Sequence, residues 1–358
     1  MTLGLKTAWR SWAHRNVRRA WQRRGLLAAI LYPVHLLHGC WRGLRALAYG
    51  MGLVRPVRLP VPVLVVGNLT VGGTGKTPLV TEVVRALRAR GWHPGIVCGG
   101  YGGRASAPLL VDATSDPAQC GDEPLLLRYV TDAPVAVGRD RVGAARLLLA
   151  THTNCDVLVA DDGLQHRRLG RDMELVLLNA LGTGNGLLLP AGPLRDPPDR
   201  LRSVDAVVLN GIVPPVRIHS PFFRMQTRVH EAVCMAVPAR RIALADLAQE
   251  QRAHGLRVLA LCAIGTPERF FAMLRAQGLD IEEIALPDHD TIHASMLPAG
   301  RYDRVLMTEK DAVKCYRDVA LRSDERIWVV PLIAHVDAQL GDFVSSRLKE
   351  SLGGSKVA

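Results

Sequence analysis

The 358-residue sequence predicts an α/β fold: a parallel-sheet domain of the P-loop NTPase type, a second and smaller α/β domain, and an N-terminal membrane-associated helix. Three observations carry this. From about residue 61, short apolar strands alternate with helical stretches, the pattern of a parallel sheet covered on both faces. The first strand runs directly into a glycine loop, Val71-Gly72-Gly73-Thr74-Gly75-Lys76-Thr77. The first 81 residues hold twelve Lys or Arg and no acid, the earliest being Glu82.

That last fact locates the charge. The formal net charge of +12 belongs entirely to the front end, because the remaining residues carry 33 basic and 33 acidic side chains. A neutral body with a cationic front argues against a basic nucleic-acid coat, so no nucleic-acid partner is expected. Hydrophobic residues at 48% and charged residues at 22% are ordinary globular values and exclude disorder. The seven cysteines are scattered singly, with no C-x-x-C, as in a reduced protein without a zinc site.

Residues 25–41 form the longest uncharged run, shorter than the roughly 20 apolar residues of a spanning helix. The run ends in Trp41 and Arg42 rather than a small-residue cleavage site, which argues against a signal peptide. At helical period Leu26, Ile30, Val34, Leu37, Trp41 and Leu44 make one apolar stripe, with His35, His38, Arg42 and Arg45 on other faces. Four of six tryptophans (Trp9, Trp12, Trp21, Trp41) lie here among arginines, a composition suited to an anionic lipid surface. Residues 1–54 are therefore read as the membrane-associated segment.

Residues 55–212 read as the P-loop domain, with strands at 61–66, 95–98, 156–160, 174–178 and 206–209 and helices at 78–90 and 139–150. The proline-rich stretch 213–222 reads as a linker, with Pro214 and Pro215 as hinge. Residues 223–358 read as the second α/β domain, with strands at 223–229, 258–262, 305–307 and 328–330, helices at 267–277 and 338–350, and a frayed end at 353–358.

A strand–glycine loop–helix unit wraps phosphates with backbone N–H groups. Gly72, Gly73, Thr74, Gly75, Lys76 and Thr77 are the nucleotide-binding candidates. Lys76 would reach the β- and γ-phosphates, and the Thr77 hydroxyl would bind Mg²⁺. The usual first glycine of this motif is Thr70 here, so Gly72 and Gly73 supply the flexibility. The strand at 156–160 ends in Asp161-Asp162, placed to hold Mg²⁺ directly or through water. A guanine-reading Asn-Lys-x-Asp is missing; Thr308-Glu309-Lys310-Asp311 has its lysine one place late. From residue types alone Asp122 reads as a helix N-cap before Pro124. At this level a soluble P-loop ATPase or GTPase acting as a switch or metallochaperone stays open, as does a non-catalytic membrane adaptor with a vestigial nucleotide site.

The order of motifs resembles the lipid A 4′-kinase (tetraacyldisaccharide 4′-kinase) family of Gram-negative bacteria. They are GNLTVGGTGKTP at 67–78, CGGYGGR at 98–104, GDEP at 121–124, VGRDR at 137–141, DDGLQHRRLGRD at 161–172, LPAGPLRDP at 189–197, PDHD at 287–290 and MTEKDAVK at 307–314. The resemblance implies ATP-dependent phosphorylation, with Mg²⁺, of the 4′-hydroxyl of a tetraacylated disaccharide 1-phosphate at the cytoplasmic face of the inner membrane. It implies Asp122 as the base, paired with His289, and Glu123 as a further Mg²⁺ ligand. Arg195 is placed on a phosphate, with Arg139 and Arg141 as further candidates and Gln165 and His166 around the metal. The family more often has Arg-Glu where this chain has Arg195-Asp196, which leaves Asp196 without a role. A lipid substrate and a membrane surface are the partners implied; no obligate protein partner is evident.

Overall fold

The computed structural model describes residues 21–298 and 300–354. Trp9, Trp12 and residues 355–358 lie outside the described residues. Among the described residues fifteen strands form two sheets. The first contains β1 (Val63–Asn68), β2 (Pro94–Cys98), β3 (Leu109–Val111), β4 (Val135–Val137), β5 (Val157–Asp161), β6 (Met173–Leu178), β7 (Ala206–Asn210), β8 (Phe222–Arg228) and β15 (Ile333–Val336), in the order β15-β8-β7-β6-β1-β5-β2-β4-β3. The second contains β9 (Glu231–Cys234), β10 (Arg241–Ala243), β11 (Val258–Cys262), β12 (Glu282–Ala285), β13 (Arg304–Thr308) and β14 (Ile327–Val330), in the order β10-β9-β14-β13-β11-β12.

The central strands β1, β5 and β6 are buried at every position, as apolar runs in a doubly covered parallel sheet must be. One face packs on α2 (Lys76–Arg88), through Leu79, Val80, Val83, Val84 and Leu87, and on α3 (Asp122–Thr131). The other packs on α4 (Arg141–Thr151), through Val142, Ala145 and Leu148. In the second sheet α5 (Leu244–His254) and α6 (Pro267–Ala276) cover one face, and α7 (Glu309–Cys315) sits on the other.

The sheets divide the chain elsewhere than at 213–222. β8 hydrogen-bonds in parallel to β7, and β15 pairs antiparallel with β8, so both complete the P-loop sheet. The C-terminal helix α8 (Gln339–Gly354) also returns to it, with Trp92 donating to Ser345 at 2.9 Å and Leu340, Val344 and Leu348 in the first core. Pro214 and Pro215 join two strands of one sheet and cannot be the hinge between sheets. The chain crosses between them after β8 and again between β14 and β15. The alternation in 223–229 marks a strand correctly but carries no information on which sheet receives it.

The second crossing has a titratable pin. Glu309, the first residue of α7, accepts the Leu332 N–H at 3.0 Å, and burial pushes its carboxyl from 4.5 up to about 7. The folded state therefore holds this proton more tightly than the unfolded chain. Stability is undiminished below pH 4.5 and falls as pH rises toward 7. Glu309→Gln keeps an acceptor for Leu332 and removes the ionisation. It is expected to leave the melting temperature at pH 4.5 unchanged and to stabilise at pH 8 by on the order of 2 kcal/mol, read from thermal melts at the two pH values.

Helix α1 (Leu26–Gly50) lies against the loop that precedes Arg195. Ala28 packs on Leu187 and Ala191, His35 Nδ1 accepts the Leu188 N–H at 2.9 Å, and His38 Nδ1 lies 2.9 Å from the Leu189 carbonyl oxygen. Trp21 donates its indole N–H to the Pro190 carbonyl at 3.0 Å. The predicted stripe faces away from the body: Leu26, Ile30, Leu37, Trp41 and Leu44 are each more than 60% exposed. Among the described residues no helix is long and apolar enough to cross a membrane.

Candidate active site

The β1–α2 loop is fixed from behind. Asn68, the last residue of β1, donates to Thr74 Oγ1 at 3.0 Å and accepts from Lys76 Nζ at 3.3 Å. Asn210, ending β7, donates to the Thr74 carbonyl at 3.0 Å. Gly75 has φ 96°, and a Cβ there would stand 2.6 Å from Asn210 Nδ2, so the position takes only glycine. Around Gly73 a Cβ would meet nothing, so the loop leaves open space at the start of α2, where helix N–H groups suit a phosphate. Thr77 is the second residue of α2, on the same turn as Lys76.

Asp161 and Asp162 have different surroundings. Asp161 pairs in register with Val66, is 4% exposed, and its Oδ1 has no hydrogen-bond partner. Burial and the nearby Glu123 charge push its carboxyl up to about 7 against the pull of Lys76. A buried carboxylate with an orphaned oxygen beside a phosphate loop suits a bound cation such as Mg²⁺. Asp162 turns away at φ 51° and is gripped by Arg195 Nη1 at 2.7 and 2.9 Å, with Lys76 Nζ at 3.6 Å. Burial opposes its charge, but Lys76 and Arg195 win and hold it below the ordinary carboxylate range.

Asp122 is not the cap expected from local sequence. Gly121 at φ 90° occupies that place, and Asp122 opens α3 with its side chain free to point across the cleft. The carboxylate is 7% exposed and bonds His289 Nδ1 at 2.9 Å. His289 stands at φ 66° in the loop after β12, on the second sheet, where its N–H reaches the Ala263 carbonyl. Burial works against the Asp122 charge, yet the hydrogen bond and charge of His289, with Lys310 and Lys314, hold it below its usual value. The same bond raises His289. Gly102 lies against this pair, with its Cβ position 3.9 Å from Asp122 Oδ1 and 4.0 Å from His289 Nδ1, and the Tyr101 ring stands 5.9 Å from the His289 ring. Beside the pair, Lys310 bridges Glu123 at 3.5 Å and Asp288 at 3.6 Å.

Other candidates fall into place. Arg141 is buried behind the site, donating to the Gly138 carbonyl at 2.8 Å under Gly99, and Arg139 is exposed. Asp311 is fully buried, tied to Thr308, Lys314 and the Ala263 N–H, and holds the second sheet's loops. His166 is kept neutral near pH 7, because burial and then Arg141 push it down to about 4. Sequence reasoning missed Asn68 and Asn210, whose signal is a polar side chain ending an otherwise apolar strand.

Known proteins share this chain's sequence and fold. A family model described as tetraacyldisaccharide-1-P 4′-kinase matches residues 27–349. The tetraacyldisaccharide 4′-kinase of Janthinobacterium sp. is 45% identical over 340 residues, 95% of this chain and 96% of that protein. That of Herminiimonas arsenicoxydans is 43% identical over 350 residues, again 95% and 96%. The crystal structure of LpxK from Aquifex aeolicus in complex with ATP aligns with a TM-score of 0.78 at 26% identity, covering 90% of this chain and 100% of that one.

Proposed function

The chain belongs to the tetraacyldisaccharide 4′-kinase family and is an ATP-dependent phosphotransferase of lipid A biosynthesis, and from that premise we propose how its residues divide the reaction. The acceptor is the 4′-hydroxyl of a tetraacylated disaccharide 1-phosphate. The switch or metallochaperone alternative has no support from the family comparison.

Asp122 takes the acceptor proton. The observation that carries this is the Asp122–His289 bond, which joins the two sheets across the cleft. His289 orients the carboxylate and keeps it ionised at neutral pH, ready to align the hydroxyl for in-line attack. Gly72 to Thr74 and the N-terminus of α2 cradle the phosphates, while Lys76 and Arg195 face the charge that builds on the transferring group. Asp161 and the Thr77 hydroxyl would hold Mg²⁺, with Glu123 as a further ligand, and Asp162 serves as the anchor that aims Arg195 and Lys76. When bound, Mg²⁺ neutralises phosphate charge.

The site works at a membrane surface, at the cytoplasmic face of the inner membrane, with α1 lying in the interface. Its exposed stripe supports this, as does a cavity of ≈ 170 Å³ beside it, lined by His38, Trp41, Arg42, Arg45, Gln165 and Arg167, whose cations suit an anionic headgroup. Replacing Ile30 and Leu37 by Glu is expected to reduce sedimentation with anionic vesicles at least tenfold. The lipid KM should rise while nucleotide affinity in solution stays unchanged, since a buried apolar side chain contributes about 1.5–3 kcal/mol.

The deciding experiment supplies Mg²⁺, γ-labelled ATP and the acceptor lipid in mild detergent. Label in the lipid supports the reading. Label only in inorganic phosphate, with or without lipid, overturns it.

A further inference from the structure

Asp196 is a carboxylate 2% exposed, with both oxygens engaged. Oδ1 accepts from Arg42 Nη2 on α1, and Oδ2 accepts from Gln165 Nε2 at 2.7 Å. The contacts continue inward. Gln165 Nε2 also lies 3.4 Å from the Asn68 carbonyl, and its Oε1 accepts from Arg195 Nη1 at 3.5 Å. Arg195 grips Asp162, and Asp162 lies 3.6 Å from Lys76. An unbroken chain of charged and amide groups thus runs from α1 to the phosphate-loop lysine.

Among the described residues Arg42 has one anionic partner and several cationic neighbours. Burial, then Arg167, Arg45 and Arg200, lower its guanidinium to about 10, so it remains charged at neutral pH and Asp196 balances it. The dependence is mutual. Without Arg42 the Asp196 carboxylate would be a buried, uncompensated charge, a costly state that draws in the nearest mobile cation. The cations at hand are Arg45 and Arg167, which line the cavity with Arg42 and Gln165, and Arg195, adjacent in sequence and already touching Gln165; of these Arg195 is the one that also grips Asp162. A shift of Arg195 toward Asp196 would loosen its grip on Asp162 and leave that carboxylate to Lys76.

We propose that Arg42 is a positioning residue for phosphoryl transfer: by neutralising Asp196 it keeps Arg195 on Asp162, and so sets Lys76 and Arg195 at the nucleotide. Docking of α1 is then a requirement of a competent nucleotide site as well as a means of reaching lipid. The inference rests on the kinase reading for what is transferred, but the coupling itself is readable in nucleotide binding alone.

The test compares wild type, Arg42→Ala, Arg42→Lys and Arg42→Ala/Asp196→Asn in full-length protein. It reads the affinity for a fluorescent ATP analogue without lipid, kcat and lipid KM with lipid, vesicle sedimentation, and the thermal melt. Arg42→Ala is expected to weaken the nucleotide about tenfold and lower kcat by more than that, with vesicle binding retained. Removing the orphaned charge in the double variant should recover most of both losses, and Arg42→Lys should fall between. If Arg42→Ala does not fold, the double variant and Arg42→Lys carry the comparison. Nucleotide affinity and kcat within twofold of wild type, a loss confined to lipid KM, or a double variant no better than Arg42→Ala would each overturn the proposal. Wild type that binds nucleotide without labelling lipid sinks the kinase reading, yet leaves the affinity comparison standing.

Discussion

Asp122→Asn is expected to lower kcat by about 10²–10⁴ while leaving nucleotide affinity within a few-fold of wild type. Asn has the same shape and keeps a partner for His289, so α3 still begins at the same residue and the contact across the cleft is kept. What disappears is the anionic acceptor that aligns the attacking hydroxyl. The transition state of phosphoryl transfer is loose, with modest demand for early proton removal, so a loss near the lower end of that range would report orientation more than basicity. His289→Gln should cost less, because Asp122 would remain present and ionised through Lys310 and Lys314. Single-turnover transfer of label with both variants makes the comparison. Asp122→Asn within threefold of wild type would remove Asp122 from the chemistry.

Lys76→Ala is expected to have the second large effect, a fall in kcat/KM of at least about 10³, with nucleotide affinity reduced as well. Lys76 has three environments to serve: the Asn68 carbonyl oxygen of its side chain, Asp162, and the phosphates. Its loss removes the positive charge that pulls the Asp161 carboxyl down, so that group becomes harder to ionise and a poorer cation ligand. Raising Mg²⁺ should therefore recover part of the loss in nucleotide affinity but not the loss in kcat. Titration of Mg²⁺ against both quantities distinguishes them. Lys76→Arg is not a conservative rescue, because the planar guanidinium does not fit the single contact to Asn68 Oδ1 at 3.3 Å.

The phosphate loop and the acidic end of β5 were legible from spacing alone, because strand, glycines and charged tip are contiguous. The amphipathic face of α1 was legible too, since periodicity reports which residues share a side. Periodicity does not report what the other side touches. His35, His38 and Arg42 look like the polar flank of a surface helix, and their partners Leu188, Leu189 and Asp196 lie more than 150 positions away. The Asp122–His289 pair came from family resemblance, not from spacing, for the same reason. Strand existence was read well and strand membership was not. β8 alternates buried and exposed residues as either sheet would require, and only tertiary pairing with β7 assigns it.

That assignment changes what the second sheet is. Because β8 precedes it and β15 and α8 follow it, the six-stranded body is an insertion within the nine-stranded one, tethered at two points rather than strung on a single linker. A nascent chain consequently meets its elements out of spatial order. The inserted body has all its strands by Val330, while the P-loop sheet still lacks an edge strand and the helix that covers Trp92. Completion of the nucleotide domain must then await synthesis of β15 and α8. Until then β8 stands as an open strand edge, a template for mispairing during synthesis that the finished enzyme no longer offers.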